Sequence, residues 1–596
     1  MSEPPRGPDS PQPHENLPPP PAARPTDRWA LDPGAIVPGR PVAAATVGPT
    51  APRRRRRRTA LLAIVGIVGV LAVAGGATAY LFLRGSSAQL LERVPSSVDA
   101  VAVVSLDPSA GQKVNIARIA EEFPGIGGTD GAVERLEDWG DEALAGVGLR
   151  FDDVTAWVGV EVAVVADVVD GTPHVAILAD VADRDGAERM LAKLRAPGAP
   201  WEDIEWTERE YLGTTLSISQ DPEGDAPSFA FDDDALILTS DAGLLERVID
   251  THRGSIQSIA SAASFQDAEA ELPEGRLMLA FFDAASLQDD IEDVVAAQAA
   301  TSMGGLGDLS AVKGIGMSVS AESDGIALDV VTSYDAANLT GVLREQVMAP
   351  SRPNGVLDSV PEEAWGVLAA QHLEFGLEDA VRELEAQDPS VASDLRELGL
   401  TGTSGVLDLF TGDMAVAVAP DETTTVGAAL LLSVDDADAA RDAVERFATS
   451  ATEYLVADDD VVRWETRTHA DGTEISFARD AFVAYAARGD VLMIGTSVEQ
   501  IEGVLDAETD GSLMGDPAYL AGIDGVPTTD GLFYVEVSRV VNSIRDALPP
   551  EERDSFDEEI GPDLRTIRSV AFGFDMNEER QLFRMFISIP PDDVAS

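Results

Sequence analysis

The residues of this sequence that can do chemistry are few and scattered. None of the 596 residues is a cysteine, which excludes disulfide bonds, thiolate metal sites and cysteine nucleophiles. The histidines do not have the spacing of metal ligands on one helix or loop, and they are His14, His174, His252, His372 and His469. We therefore predict no histidine-based metal site. His174 and His372 lie within apolar runs, a pattern typical of hydrogen-bonded core histidines.

One short motif matches a known catalytic pattern. Ser310-Ala311-Val312-Lys313 has the Ser-x-x-Lys spacing of penicillin-recognising serine enzymes. The companion motifs Ser-Asp-Asn and Lys-Thr-Gly are missing, as are a Gly-x-Ser-x-Gly elbow and a phosphate-binding Gly-x-x-x-x-Gly-Lys loop. A pattern with only two fixed positions arises often by chance. The sequence therefore predicts a protein that is not an enzyme and that carries no cofactor.

Aspartate clusters are the remaining candidates for binding cations, and they lie at Asp152-Asp153, Asp232-Asp233-Asp234 and Asp458-Asp459-Asp460. The segment Asp183-Arg184-Asp185-Gly186 resembles the start of a calcium loop, but the glutamate that completes such a loop is missing. The chain has 105 acidic and 42 basic residues, a net charge of −63, so acidic turns are expected without any binding role. We expect weak, diffuse association with divalent cations and no binding of nucleic acid.

The segment that begins at Asp107 is the best candidate for a specialised loop. Its residues of interest are Asp107, Pro108, Ser109, Gly111, Gln112 and Lys113. The Asp-Pro pair ends a predicted strand, and Ser109 can cap the helix that follows. The exposed amides of that helix start can instead bind an anion with help from Lys113. Capping explains every residue of the segment except the lysine, and both interpretations stay open at this point.

The elements before residue 90 predict where the protein is located. Residues 1–52 hold fifteen of the 36 prolines and are predicted to be a disordered tail. The tail ends in an unbroken basic run, which consists of Arg53, Arg54, Arg55, Arg56, Arg57 and Arg58. The next segment, residues 60–83, has 24 residues without a charge, and a helix of about 36 Å would cross a hydrocarbon core of about 30 Å. We therefore predict a transmembrane helix at 60–83.

The arginine run also predicts an orientation, because positive residues beside an apolar span stay in the cytoplasm. The tail, residues 1–59, is then cytoplasmic, everything after Gly85 is outside the plasma membrane, and the arginines contact lipid head groups. Residues 1–59 carry ten arginines and five acids, a net charge of +5, which leaves −68 for the rest of the chain. Ala77-Thr78-Ala79 has the form of a cleavage site, but 58 residues precede the apolar segment, so we expect an uncleaved signal anchor.

The region after residue 90 alternates between strand-like and helix-like periodicity, and the order of these runs occurs twice. Gly159 aligns with Gly412 at an offset of 253, and further elements align at offsets between 253 and 259. We predict an internal repeat with α+β units at 90–345 and 356–596, joined by a linker at 346–355. The predicted fold class is thus one N-terminal transmembrane helix followed by two tandem, duplicated units of antiparallel sheet plus helices.

One segment carries a resemblance to a known family. Leu106-Asp107-Pro108-Ser109-Ala110-Gly111-Gln112-Lys113, with Val94-Pro95 before it and Trp157-Val158-Gly159 after it, resembles the family catalogued as domain of unknown function 3352. The resemblance implies an actinobacterial protein with a Pro-rich cytoplasmic tail, one membrane span and a large external region. It implies no activity, cofactor or catalytic residue. The corresponding stretch of the second unit, His372-Leu373-Glu374-Phe375, lacks the pattern, so the two units are not expected to be equivalent there.

These observations predict a single-pass protein of the cell envelope whose acidic external region binds a partner or scaffolds an assembly. The expected partners are the membrane, through one helix, and an envelope protein or a lipid. The alternative is a carrier of lipid or another apolar envelope component, since a curved antiparallel sheet can hold an apolar ligand under its helices. A hydrolase built on carboxylates is the third and least favoured hypothesis.

Overall fold

Twenty β-strands, with helices inserted between them, form the architecture of the described chain. The computed structural model describes residues 89–590 except 147, 170–171, 200, 203, 221–226, 285–310, 388, 398, 403–404, 422–424, 456–462 and 479–482. The predicted tail, the arginine run and the apolar segment at 60–83 lie outside the described residues.

The strands divide into two sets of ten along the chain. The first set is β1 Ala100–Ser105, β2 Val158–Val169, β3 Thr172–Val181, β4 Trp206–Tyr211, β5 Thr214–Ser219, β6 Ser228–Asp232, β7 Ala235–Thr239, β8 Met278–Asp283, β9 Val312–Glu322 and β10 Gly325–Tyr334. The second set is β11 Gly366–Ala370, β12 Phe410–Asp421, β13 Thr425–Val434, β14 Glu465–Thr468, β15 Glu474–Ala478, β16 Val483–Arg488, β17 Val491–Gly495, β18 Gly531–Glu536, β19 Ser569–Met576 and β20 Arg580–Ser588.

The two sets have the same strand order. In the first half the strands lie side by side as β4-β5-β6-β7-β3-β2-β1-β8-β9-β10, and every described pairing is antiparallel. In the second half the order is β14-β15-β16-β17-β13-β12-β11-β18-β19-β20. The last strand of each half, β10 and β20, pair with each other from Gly325 opposite Ser588 to Ser333 opposite Arg580. One sheet therefore runs through both halves.

This arrangement corrects the predicted fold class in two respects. Among the residues that the structure describes, no helix combines the length and hydropathy that a membrane crossing requires. The strands also form one sheet of twenty rather than two tandem sheets. The physical reason is that the final strand of each half would otherwise expose a long row of unpaired backbone groups, and pairing β10 with β20 satisfies both rows at once.

Helices fill the connections between strands. They are α1 Ala110–Glu122, α2 Gly128–Ala145, α3 Phe151–Thr155, α4 Arg184–Leu194, α5 Ala242–His252, α6 Ala263–Glu269, α7 Gly341–Met348, α8 Leu373–Gln387, α9 Pro389–Glu397, α10 Val406–Leu409, α11 Ala437–Leu455, α12 Val498–Asp510, α13 Pro517–Gly522, α14 Val537–Ala547, α15 Pro550–Glu559 and α16 Gly561–Thr566. Single 3-10 turns occupy Gln89–Arg93, Ile259–Ser261, Gly355–Ser359 and Leu513–Gly515.

Each half buries both faces of its sheet, because successive side chains of a strand point to opposite faces. In the first half Val101 and Val103 pack under the 3-10 turn Gln89–Arg93, α5 and α6. Val104, on the other face, packs with side chains of α2, α3 and α4. The second half repeats this layering, with the turn Gly355–Ser359, α12 and α13 on one face and α10 and α11 on the other.

The aligned glycines occupy the same irregularity in both halves. The pairing of β2 with β3 shifts register between Val158 and Val162, and the pairing of β12 with β13 shifts between Phe410 and Met414. Gly412 has φ of 99°, in the left-handed region that favours glycine, and a Cβ there would lie 1.8 Å from a carboxylate oxygen of Glu374. A Cβ on Gly159 would lie 2.0 Å from the carboxylate of Asp180. The backbone of Gly412 therefore favours glycine, and at both positions a Cβ would displace the neighbouring carboxylate.

Candidate functional site

The segment from Asp107 to Lys113 joins β1 to α1. Asp107 follows the strand directly and is buried, and the ammonium of Lys113 pairs with its Oδ1. Ser109 is the N-cap of α1, since its hydroxyl accepts a hydrogen bond from the backbone N–H of Gln112 at 3.4 Å. Helix capping did not explain Lys113. The structure gives this lysine a partner within the protein, the carboxylate of Asp107.

The same segment ties α1 to the end of β9. The side-chain Oε1 of Gln112 accepts a hydrogen bond from the N–H of Ala321 at 2.7 Å. Asn115, one turn along, donates to the carbonyl of Ala321, also at 2.7 Å. Oδ2 of Asp107 is buried without a described hydrogen-bond partner. These hydrogen bonds hold the start of α1 against the end of β9. They give the anion-binding interpretation no support.

One aspartate cluster has the geometry of a cation site. Ligand atoms of Asp232, Asp233 and His252 lie within 4.8 Å of one another. Asp232 is fully buried rather than in a solvated turn, and its Oδ2 is 2.5 Å from Nδ1 of His252. Buried carboxylates need a positive partner or a hydrogen-bond donor, so the groups around Asp232 decide what the cluster is.

Two arginines bind the carboxylate of Asp232. Arg93 donates to Oδ2 of Asp232 at 3.1 Å, and Arg253 donates to Oδ1 at 2.7 Å. The hydroxyl of Thr214 also donates to Oδ1, at 2.9 Å. Both carboxylate oxygens of Asp232 are thus already bound to donors, two of them cationic. We interpret the cluster as an ion-pair network that holds the turn Gln89–Arg93 on β6 and α5.

This interpretation predicts that metal chelation has no effect on stability. We expect the melting temperature of the protein to be the same with and without EDTA, because Arg93 and Arg253 already neutralise Asp232. Calcium or magnesium should raise it gradually, through screening of the acidic surface, without saturation at micromolar concentration. Differential scanning calorimetry over a calcium titration measures this. A sharp, calcium-selective transition at micromolar concentration would show a dedicated site.

In the second half, an arginine and a glutamate stand where Asp232 and His252 stand in the first half. Arg488 stands 256 residues after Asp232 at the end of the matching strand, and Glu508 stands 256 residues after His252. Arg488 pairs with Asp471 at 2.9 Å and with Glu508 at 3.4 Å. The pKa of Asp471 lies well below its usual range, first because the N–H of Thr473 donates to it. Ion pairs therefore hold this place in both halves, although the residues that form them differ, and this agrees with structural support.

The other predicted residues do not come together. Asp152 and Asp153 lie in α3, where Asp153 pairs with Lys193 of α4. His174 lies on β3 opposite Asp167, and Lys313 is exposed on β9. Several predicted residues lie outside the described residues, namely Asp458, Asp459, Asp460, Ser310, His14 and the run Arg53–Arg58.

His372 is surrounded by carboxylates that sequence reasoning did not find. It is buried, has φ of 56°, and its Nε2 has no described hydrogen-bond partner. Glu374 Oε1 lies 3.8 Å from Nδ1, and Asp530 Oδ1 lies 4.0 Å from Nε2. Burial raises the pKa of Asp530. Because the two carboxylates approach opposite sides of the ring, these three residues do not converge on one metal ion.

A polar row crosses the junction of the two halves. Ser318 on β9, Asp329 on β10 and Arg584 on β20 are directly opposite one another in register. Arg584 donates to Asp329 Oδ1 at 3.2 Å and pairs with Glu322. Burial raises the pKa of Asp329, although the nearby Arg584 opposes that change. The row places a buried ion pair where the halves join.

Helices from both halves form one outer layer, which we call the helical surface and define as α1, α2, α14, α15 and α16. The N–H of Gly125, between α1 and α2, donates to Asp563 of α16 at 2.7 Å. Thr566 of α16 donates to the carbonyl of Glu122 at 3.0 Å. Large apolar side chains are exposed on this layer, and they are Val114, Trp139, Ile544 and Ile560. The amphipathic pattern of α2 contained this signal, because Trp139 stands beside acids rather than on the apolar stripe.

The comparisons with known proteins give a family but no activity. No curated protein matches the chain. Six solved chains match, among them "Structure of crystal form I of TP0453", with 9% identity, a TM-score of 0.23, and coverage of 43% of this chain and 82% of that chain. "Structure of crystal form III of TP0453" has 10% identity, a TM-score of 0.21, and coverage of 44% and 89%.

These TM-scores are too low to indicate a shared fold. The model of the family described as "Protein of unknown function (DUF3352)" matches residues 60–588, which is most of the chain. The chain therefore belongs to the DUF3352 family.

Proposed function

We propose that the protein is a non-enzymatic binding or scaffolding module that engages its partner through an outer surface. The observation that carries this proposal is the contrast between the sheet and the helical surface. In each half, packed apolar clusters lie on both sides of the sheet, whereas Trp139 on α2 is 45% exposed. Exposed aromatic side chains in a polar setting are typical of protein-protein contacts.

The layering favours this proposal over a carrier of lipid. A carrier needs an apolar cavity between sheet and helices, and such a space would lie under α5, α6, α12 or α13. The side chains there are in contact with the sheet, among them Leu245 of α5, Phe265 of α6 and Ile501 of α12. These described core positions have almost no exposed area, which supports a packed interior under these helices rather than a lipid site there.

A carboxylate hydrolase is less favoured because the described acids are engaged elsewhere. Such an enzyme needs two carboxyl groups on either side of an open cleft, each free to exchange a proton. Asp107 pairs with Lys113, and Asp232 is bound by two arginines. Asp530 accepts a hydrogen bond from the N–H of Met576 at 2.7 Å. These contacts favour structural roles for these three of the buried acids.

Native mass spectrometry of the purified full-length protein tests the proposal. We expect the mass of the chain alone or with a polypeptide partner, because the described interior is filled. Stoichiometric lipid that survives gentle activation would support the carrier instead and would overturn the binding module. A known lipid-transfer protein, prepared in the same way, is the control that shows bound lipid is retained.

The predicted location at the plasma membrane, with residues after Gly85 outside, stays a prediction. The residues from which it was inferred, 53–83, lie outside the described part of the chain.

A further inference from the structure

We propose that the helical surface binds a cationic polypeptide segment that carries apolar side chains. This inference rests on the binding function proposed above and gives it a partner class and a location. It is carried by three features of the described residues, namely the charge of the helices, the setting of Trp139, and the apolar area that helices from both halves expose beyond the tryptophan.

The first feature is the excess of acids on these helices. Residues 110–145 contain three basic and eight acidic residues, a net charge of −5, and residues 537–566 contain four basic and eight acidic residues, a net charge of −4. Acids on the exposed side of the layer are Glu121, Glu134, Glu137, Asp138, Glu142, Glu551, Glu552, Asp554 and Glu558. A surface with this charge attracts polycations and repels polyanions.

The second feature is an exposed tryptophan beside an acidic stripe. Glu134, Asp138 and Glu142 follow one another at four-residue spacing, and side chains at this spacing share a helix face. Trp139 stands next to that stripe. Arg135, one turn before the tryptophan, donates to the carbonyl of Gly125 and is held at the loop. The ring is therefore available to an incoming Lys or Arg side chain, which the neighbouring carboxylates also attract.

The third feature is apolar area beyond the tryptophan. Val114 is 64% exposed on α1, which packs against α2. Ile560 is exposed between α15 and α16, and these helices are tied to the loop between α1 and α2 through Asp563 and Gly125. A partner with only positive charge would leave these side chains in water. A partner with both cationic and apolar side chains matches what the surface presents.

The negative charge of the helical surface also limits which kinds of partner can bind to it. A second copy of this chain carries the same net charge of −63, and an anionic lipid surface or a nucleic acid is negative as well. All three are repelled by the acids around Trp139. A cationic polypeptide is the occupant that remains, and its association should weaken as salt screens the attraction.

Isothermal titration calorimetry with the full-length protein and a synthetic amphipathic Leu/Lys peptide tests the proposal. We expect binding at low salt that weakens with added NaCl. Trp139→Ala and the triple variant Glu134→Gln/Asp138→Asn/Glu142→Gln should each weaken it by about tenfold or more. Leu384→Ala, at an exposed apolar residue of α8, and Asp438→Asn/Asp442→Asn/Glu445→Gln on α11 are matched controls that should bind as the wild type does.

The outcomes separate this inference from the function on which it rests. Equal losses in the α2 triple variant and the α11 triple variant would mean that net charge, rather than this surface, binds the peptide, and would overturn the inference. Equal binding of a Leu/Ser peptide, or of vesicles of anionic phospholipid, would overturn it as well. In either case a polypeptide partner seen by native mass spectrometry would leave the binding module standing. Circular dichroism of each variant verifies that a lost response is not lost folding.

Discussion

Replacing Arg584 by methionine is expected to lower the free energy of unfolding by about 3–5 kcal/mol at neutral pH, the cost typical of removing one partner from a buried ion pair. Asp329, which Arg584 contacts from the neighbouring strand, is buried, so the variant would leave its carboxylate without this cation. The loss should shrink as the pH falls, because protonation removes the unpaired charge, and burial already raises the pKa of Asp329. Urea denaturation at two pH values measures both effects.

Two further variants make this expectation specific to the junction. Arg382→Met removes an exposed arginine of α8 that pairs with nearby Asp379, and it should change stability by well under about 1 kcal/mol. The double variant Asp329→Leu/Arg584→Met removes both charges, and it should recover most of the stability that Arg584→Met loses. If Arg584→Met is no less stable than Arg382→Met, the ion pair does not support the junction.

The join between the halves shows why the sequence predicted strands but not the whole sheet. Hairpins such as β2 with β3 are local, and the alternation of their residues together with the Asp170-Gly171 turn signal predicts them. The pairing of β10 with β20 brings together residues about 255 positions apart, such as Asp329 and Arg584. Periodicity within each strand contains no information about that partner. The same periodicity is therefore compatible both with two tandem sheets and with one continuous sheet.

The candidate sites also depend on contacts between residues far apart in the sequence, which the sequence alone does not reveal. The role of Ser109 as a cap was visible from its place between strand and helix, because capping is decided within a few residues. The surroundings of Asp232 were not visible, since Arg93 comes from 139 residues earlier in the chain. His372 lies in an apolar run, yet its carboxylate neighbour Asp530 comes from a strand start 158 residues later. A charged residue therefore identifies a site from the sequence only when the residues that pair with it lie within a few positions of it.

Glu161 should make the protein less stable as the pH rises, and its replacement by glutamine should reverse that effect. Glu161 lies on β2, is buried, and accepts a hydrogen bond from the N–H of Leu90 at 3.3 Å. Burial raises its pKa to about 7, with a smaller contribution from the negative charge of Asp180. In the second half the matching position of β12 is Met414, which needs no partner.

The direction of the effect follows from proton binding. The ordinary pKa of a glutamate side chain is 4.5, so the folded protein holds this proton more tightly than the unfolded chain does. The contribution to stability is fully present below about pH 4.5 and is lost as the pH rises to about 7. The gap between these pKa values corresponds to about 3 kcal/mol, at about 1.4 kcal/mol per pH unit. Glu161→Gln keeps the acceptor oxygen without the charge, and at pH 8 it should be more stable than the wild type by up to about that amount.

The measurement is the difference in unfolding free energy between Glu161→Gln and the wild type at pH 5, 6, 7 and 8. Taking the difference cancels the titration of the other acids, some of which act in the opposite direction, such as Asp153 with its lowered pKa. We expect the advantage of the variant to be smallest at pH 5 and to grow steadily up to pH 8. Glu137→Gln, the same change at an exposed position of α2, should show no such trend. A flat difference for Glu161→Gln would mean that Glu161 titrates like an ordinary surface glutamate, and that water or a cation reaches it in the folded protein.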